Sequence, residues 1–133
     1  MTSRLDFEKG KASRRVHQLH GEVLEALTGG ASIPERDTWP IKETAARAVL
    51  SGTASEGDLM MLGIEAQLAG TDVPTLAATV VAKSDAFKTL VGKAAGLRAK
   101  GLANIAACTS VAYVEATLQF IEDQVEAEIV AHS

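Results

Sequence analysis

Residues 111–129, VAYVEATLQFIEDQVEAEI, carry the cleanest amphipathic pattern in the chain. Val111, Val114, Leu118, Ile121, Val125 and Ile129 recur at three- and four-residue steps, which places them on one face of an α-helix. Glu115, Glu122, Asp123, Glu126 and Glu128 fall on the others. A helix beginning near Thr109 or Ser110 is therefore expected. Its apolar face needs a cover, and the first helix, from about Ser3 to Leu27, has a matching seam. There Leu5, Ala12, Val16, Leu19, Val23, Ala26 and Leu27 alternate in four- and three-residue steps, the pattern of a coiled coil. Lys9 interrupts that seam, and Gly10 and Gly21 each cost about 1 kcal/mol against Ala in a helix interior. Such a helix requires a partner, either other copies of itself or the rest of its own chain. Gly29-Gly30 ends it.

Three more helices are expected between these two. Gly29 to Asp37 reads as a linker. The next helix is capped by Asp37 or Thr38, with Pro40 in its first turn, where the missing N–H costs nothing. Trp39, Ala46 and Leu50 face inward, and Trp39 is expected to anchor the linker to the bundle. Ser51-Gly52 ends this helix. A third helix starts at Ser55, whose spacing to Asp58 resembles a capping box, and stops at Gly70. It is expected to bury Leu59, Leu62 and Ala66, with Met60 and Met61 beside them. The fourth begins after Thr71 or Asp72 with Pro74 in its first turn. Its apolar face runs through Leu76, Val80, Phe87, Leu90, Val91, Ala94 and Leu97, and Gly101 breaks or bends it. No strand is expected. The architecture is all-α: a long N-terminal helix (residues 1–30) for oligomerisation or docking, then a compact four-helix bundle (residues 31–133).

Composition agrees. The 133 residues include 23 alanines and only 4% aromatics, which suits helices in close approach. The length suits one domain with a core sufficient without disulfides or metal, and the single cysteine, Cys108, permits no intrachain disulfide. The longest uncharged run, Gly101 to Val114, is shorter than the roughly 20 residues a bilayer-spanning helix needs. Arg4, Asp6, Glu8 and Lys9 stand where a signal peptide would be apolar. A soluble protein made in a reducing cytoplasm is expected.

Net charge is −4, unevenly spread. The first 20 residues carry five basic and two acidic side chains, and residues 72–100 carry the same numbers. Residues 101–133 have five acids and no Lys or Arg. The acidic last helix thus has two basic helices as candidate neighbours, within the chain or across subunits.

No set of residues here specifies a chemistry. His17 and His20 share a helix face at metal-ligand spacing but lack a third ligand, so two polar residues flanking a seam is the better reading. Cys108 has no histidine near it in sequence except the terminal His132, and reads as a small buried apolar residue. Glu122 and Asp123 point in different directions on a helix and form no acid–base pair. Arg14-Arg15 with Arg4, Lys9 and Lys11 could touch nucleic acid, but Asp6 and Glu8 interrupt the patch and no stacking aromatics interleave. No phosphate-binding glycine loop follows a strand. No catalytic residue, cofactor site or metal site is expected.

The stretch from Glu35 to about Thr109 resembles a small helical module of tailed-bacteriophage and prophage proteins, of the tail-fibre or tail-fibre-associated type. The resemblance rests on Glu-Arg-Asp-Thr-Trp-Pro at 35–40, Lys42-Glu43, Ala45-Ala46-Arg47-Ala48 and the Ser-Gly-Thr-Ala-Ser turn at 51–55. It continues through Gly70 to Pro74, Leu76, the Val80 to Phe87 run, Arg98 and the Ala106 to Thr109 turn. It covers a little over half of the chain. The last helix is longer and more acidic than in that module, and no β-rich shaft or receptor-binding tip is present.

The resemblance implies a non-enzymatic structural protein of the virion tail, synthesised in the host cytoplasm. It would assemble with its own copies, as a trimer by preference, or with another tail protein. It implies neither cofactor nor membrane partner. The interaction residues expected are Leu5, Val16, Leu19, Val23 and Leu27 on the first helix, and Val111, Val114, Leu118, Ile121 and Val125 on the last. The alternatives are a tail-fibre assembly chaperone absent from the mature particle and, further off, a small DNA-binding regulator.

Overall fold

The computed structural model describes residues 3–29 and 31–131, so Gly30 of the expected helix stop and His132 lie outside the described residues. The described chain is all-α, with five helices: α1 (Arg4–Leu27), α2 (Ile33–Ser51), α3 (Glu56–Ala69), α4 (Val73–Ala106) and α5 (Val111–Ala131). Local chemistry sets their ends. The Ser3 hydroxyl accepts from Asp6 N–H at 3.0 Å and starts α1. Ser55 and Asp58 form a reciprocal capping box at the start of α3. Asp72 accepts from Thr75 N–H at 2.8 Å before α4, and Ser110 from Tyr113 N–H at 3.1 Å before α5. Gly52 and Gly70 close α2 and α3 with φ of 76° and 75°, left-handed conformations that strain any residue with a Cβ.

One boundary differs from expectation. Helix α2 begins at Ile33 rather than near Asp37, because Ser32 caps it and Pro34 occupies its first turn. Pro40 consequently lies inside the helix. Helix α4 runs without a break through Gly101.

The helices group into two compact units, divided at residues 30/31 and 89/90. The long N-terminal helix followed by packed helices is as expected. One unit contains α1, the C-terminal part of α4 and α5; the other contains α2, α3 and the N-terminal part of α4.

In the unit containing α1, the two seams meet each other. Ala12, Val16, Leu19 and Val23 of α1 share one core with Ala94 and Ile105 of α4, Cys108, and Val114, Ile121 and Val125 of α5. The alanine and glycine positions let the helices approach closely. A Cβ at Gly101 would stand 3.1 Å from Ile121 Cδ1 and 3.4 Å from Val16 Cγ1. Lys9 fits this seam because its ammonium donates to the Ala106 carbonyl at 2.8 Å, at the C-terminal end of α4. The charge pattern closes over the core. Arg15 pairs with Glu122 at 3.3 Å and with Glu22 at 3.2 Å, and Lys93 with Glu128 at 2.7 Å.

The other unit is built on a smaller core of Ala45, Ala46, Leu62 and Ala77, flanked by Val49, Val73, Leu76, Val80 and Val81. Trp39 is half-buried and meets Phe87 edge to face, with ring centroids 5.7 Å apart. It therefore joins α2 to α4. Glu43 accepts from Ser84, from Lys88 at 2.9 Å and from Arg47 at 3.3 Å. Those hydrogen bonds, that of Ser84 foremost, pull its carboxyl down to about 2.

Candidate functional site

The residues expected to form interaction seams are mostly used inside the chain. Val16, Leu19, Val23, Val114, Ile121 and Val125 are buried together, Leu5, Leu27 and Leu118 pack against them, and Val111 is half-buried. The structure thus contains the packed-back arrangement of α1, in which its seam is covered by α5.

An open apolar strip lies on α3. This helix buries Leu62 and Ala66. Leu59, Met60 and Met61, expected to point inward, are exposed instead. At about 100° per residue, Met60, Met61, Ile64 and Leu68 share the side of α3 opposite Leu62 and Ala66. Met60 is 66% exposed, Ile64 56% and Leu68 85%. The helix is apolar on two opposite faces, and its own unit covers one. Its charges are Glu56, Asp58 and Glu65, with no base. Glu65 pairs with Lys42 of α2, while Asp58 accepts from Ser55 N–H at 3.1 Å. The outer face is therefore an apolar strip with uncompensated acid at its N-terminal end. An apolar patch with an acidic margin suits association with another helix rather than bond-making chemistry. The sequence already held the signal for this. Leu59, Met60, Met61, Leu62, Ile64, Ala66 and Leu68 encircle the helix, as in a helix enclosed on all sides.

The other candidate groups are placed as follows. Cys108 is buried, and its thiol donates to the Asn104 carbonyl at 3.2 Å. Glu122 turns to Arg15, whereas Asp123 accepts from Gln119 at 3.0 Å, so the two carboxylates serve different neighbours. Arg15 is engaged in its ion pairs, and Arg14 is exposed. Among the described residues, no group of three His, Cys, Asp or Glu is placed to hold a metal ion. No described helix is long and apolar enough to cross a membrane.

His17 is exposed and His20 half-buried. His20 Nδ1 lies 3.3 Å from Arg98 Nη1. A guanidinium only donates, so the imidazole accepts at Nδ1 and carries its proton on Nε2. Burial, then the charges of Arg98 and His17, lower the His20 pKa below its usual 6.5. The unfolded chain therefore binds the proton more readily than the folded one. This contribution to stability is complete above pH 6.5 and falls as pH drops below it. His20→Gln is expected to flatten the decline of Tm between pH 7.5 and 5, measured by circular dichroism.

No known protein family matches the chain, and no curated protein or solved structure was found to be similar to it.

Proposed function

We propose that this chain is a non-enzymatic assembly protein of a bacteriophage tail, in or beside the tail fibre. It acts by helix-mediated association with its own copies or with another tail protein. The observation that carries this reading is the outer face of α3, where Met60, Ile64 and Leu68 stand in solvent. Exposing a continuous apolar strip is unfavourable unless something covers it, at roughly 25 cal/mol per Å² of surface removed from water. The setting comes from the resemblance of residues 35–109 to the phage tail-fibre-associated module.

A second reading, the assembly chaperone, draws on the same strip. A chaperone keeps an apolar surface open until its client arrives, and α3 does so here. The face of α5 does not, because Val114, Ile121 and Val125 are buried within the chain. The two readings are separated by where the protein resides. Purified phage particles and the infected-cell lysate are probed by mass spectrometry for its peptides, and its co-purification with tail proteins is measured. A stoichiometric presence in particles is expected. Presence only in the lysate, bound to fibre protein, means the chaperone. Absence from particles together with no tail-protein partner overturns both.

A further inference from the structure

We propose that the outer face of α3 is covered by the exposed basic face of α1 from a second copy of this chain. The proposal rests on the reading of the chain as an assembly protein and names the partner.

Its first support is what α3 cannot pair with. Two copies of α3 facing each other in parallel would bring together Glu56 and Asp58 from both sides, with no base on either helix, while Glu65 is already paired with Lys42. Like charges across an interface are a strong device against the wrong partner. The occupant of this strip should be positive, helical and partly apolar.

The described residues of α1 present such a surface. Arg4, Phe7, Lys11 and Arg14 follow each other at three- and four-residue steps along α1, and all four are exposed. This stripe lies outside the α1 seam, whose Ala12, Val16, Leu19 and Val23 are buried against α5. Arg4, Lys11 and Arg14 form no ion pair among the described residues, unlike Arg15 on the same helix. Phe7 is 58% exposed among these cations. More than half of this aromatic residue is left uncovered by its own chain. Against Met60 and Met61 it would gain apolar burial and sulfur–ring contacts. With the two helices parallel, Arg4 would reach Glu56 and Asp58 while the stems of Lys11 and Arg14 cover Ile64 and Leu68.

The contact is head-to-tail: each copy offers a basic α1 face and an acidic, apolar α3 face. Such interfaces extend to rings or filaments rather than stopping by necessity at a dimer. Because it uses one apolar strip and exposed charges, it should be weak and salt-sensitive.

The test is the solution mass of the full chain by light scattering across a concentration series. The mass is expected to rise from 13.9 kDa to a multiple of that value with concentration. Raising the salt from about 50 to 500 mM should weaken association roughly tenfold. Phe7→Asp and Ile64→Asp, both at exposed positions, should each leave a folded monomer. Mixing those two monomeric variants should restore a complex of one copy of each, because each retains the face the other lacks. A wild-type chain that stays monomeric up to about 1 mM overturns the proposal. So does a mixture that fails to associate, or an oligomer that either variant leaves intact. A monomer that instead binds a DNA duplex through Arg14 also overturns it. A monomer that is nonetheless found in phage particles leaves the assembly function standing and removes only the α1-to-α3 contact.

Discussion

Leu19→Asp is expected to lower the Tm by about 15 °C or to abolish the folded state, without splitting an oligomer into folded subunits. Leu19 is 4% exposed and belongs to the core shared by α1, α4 and α5. The substitution removes its apolar burial, places a carboxylate in the core and leaves it to compete with His20 for Arg98, which lines the same cavity. Each of the first two effects costs several kcal/mol, and together they come to roughly 4–5 kcal/mol. A domain of this size loses about 3–5 °C of Tm per kcal/mol. Thermal unfolding followed by circular dichroism measures the loss, and light scattering follows the mass. Had the seam been an intermolecular coiled coil, the same change would dissociate subunits while each stayed folded. That outcome would contradict the packed-back arrangement. Seeing neither effect would mean that α1 does not use this face at all.

Gly101→Leu is expected to destabilise the same core by about 3 kcal/mol, through overpacking rather than loss of contact. At Gly101, α4 lies against both α1 and α5. A Cβ there already meets Ile121 at 3.1 Å and Val16 at 3.4 Å, and the atoms beyond a leucine Cβ have nowhere to go without moving a helix. Gly101→Ala separates crowding from backbone effects. Its tight Cβ contact opposes a gain of about 1 kcal/mol in helix propensity, so its net effect should be small. Urea unfolding gives both values, and the reaction rate of buried Cys108 with a thiol reagent reports opening of this core directly. Equal stability of the leucine variant and the wild type would show that the three helices do not meet at Gly101.

The same residues show how far local reading reached. The caps at Ser3, Ser55, Asp72 and Ser110 and the stops at Gly52 and Gly70 are legible because each needs only a few consecutive residues. The amphipathic faces of α1 and α5 are legible for a similar reason, since periodicity is a property of one segment. The start of α2 was misplaced by two competing local signals. Ser32 with Pro34 and Asp37 with Pro40 look alike, and only the first is used as the cap. The candidate surface on α3 was hidden differently. Met60 and Met61 are expected beside Leu59, Leu62 and Ala66, whereas at about 100° per residue they fall opposite Leu62 and Ala66, in solvent.

Helix number, helix ends and all-α class thus follow from short-range hydrogen bonding and periodicity, which the amino-acid order states directly. Which seam covers which could not be read that way. The face of α1 is equally suited to another copy or to α5, and choosing between them depends on residues roughly a hundred positions apart. The tertiary structure makes that choice by placing Lys9 on the Ala106 carbonyl, Arg15 on Glu122 and Gly101 between Val16 and Ile121. Each of these is a non-local contact. With the α1 seam consumed inside the chain, the apolar strip of Met60, Ile64 and Leu68 on α3 is among the surfaces left open.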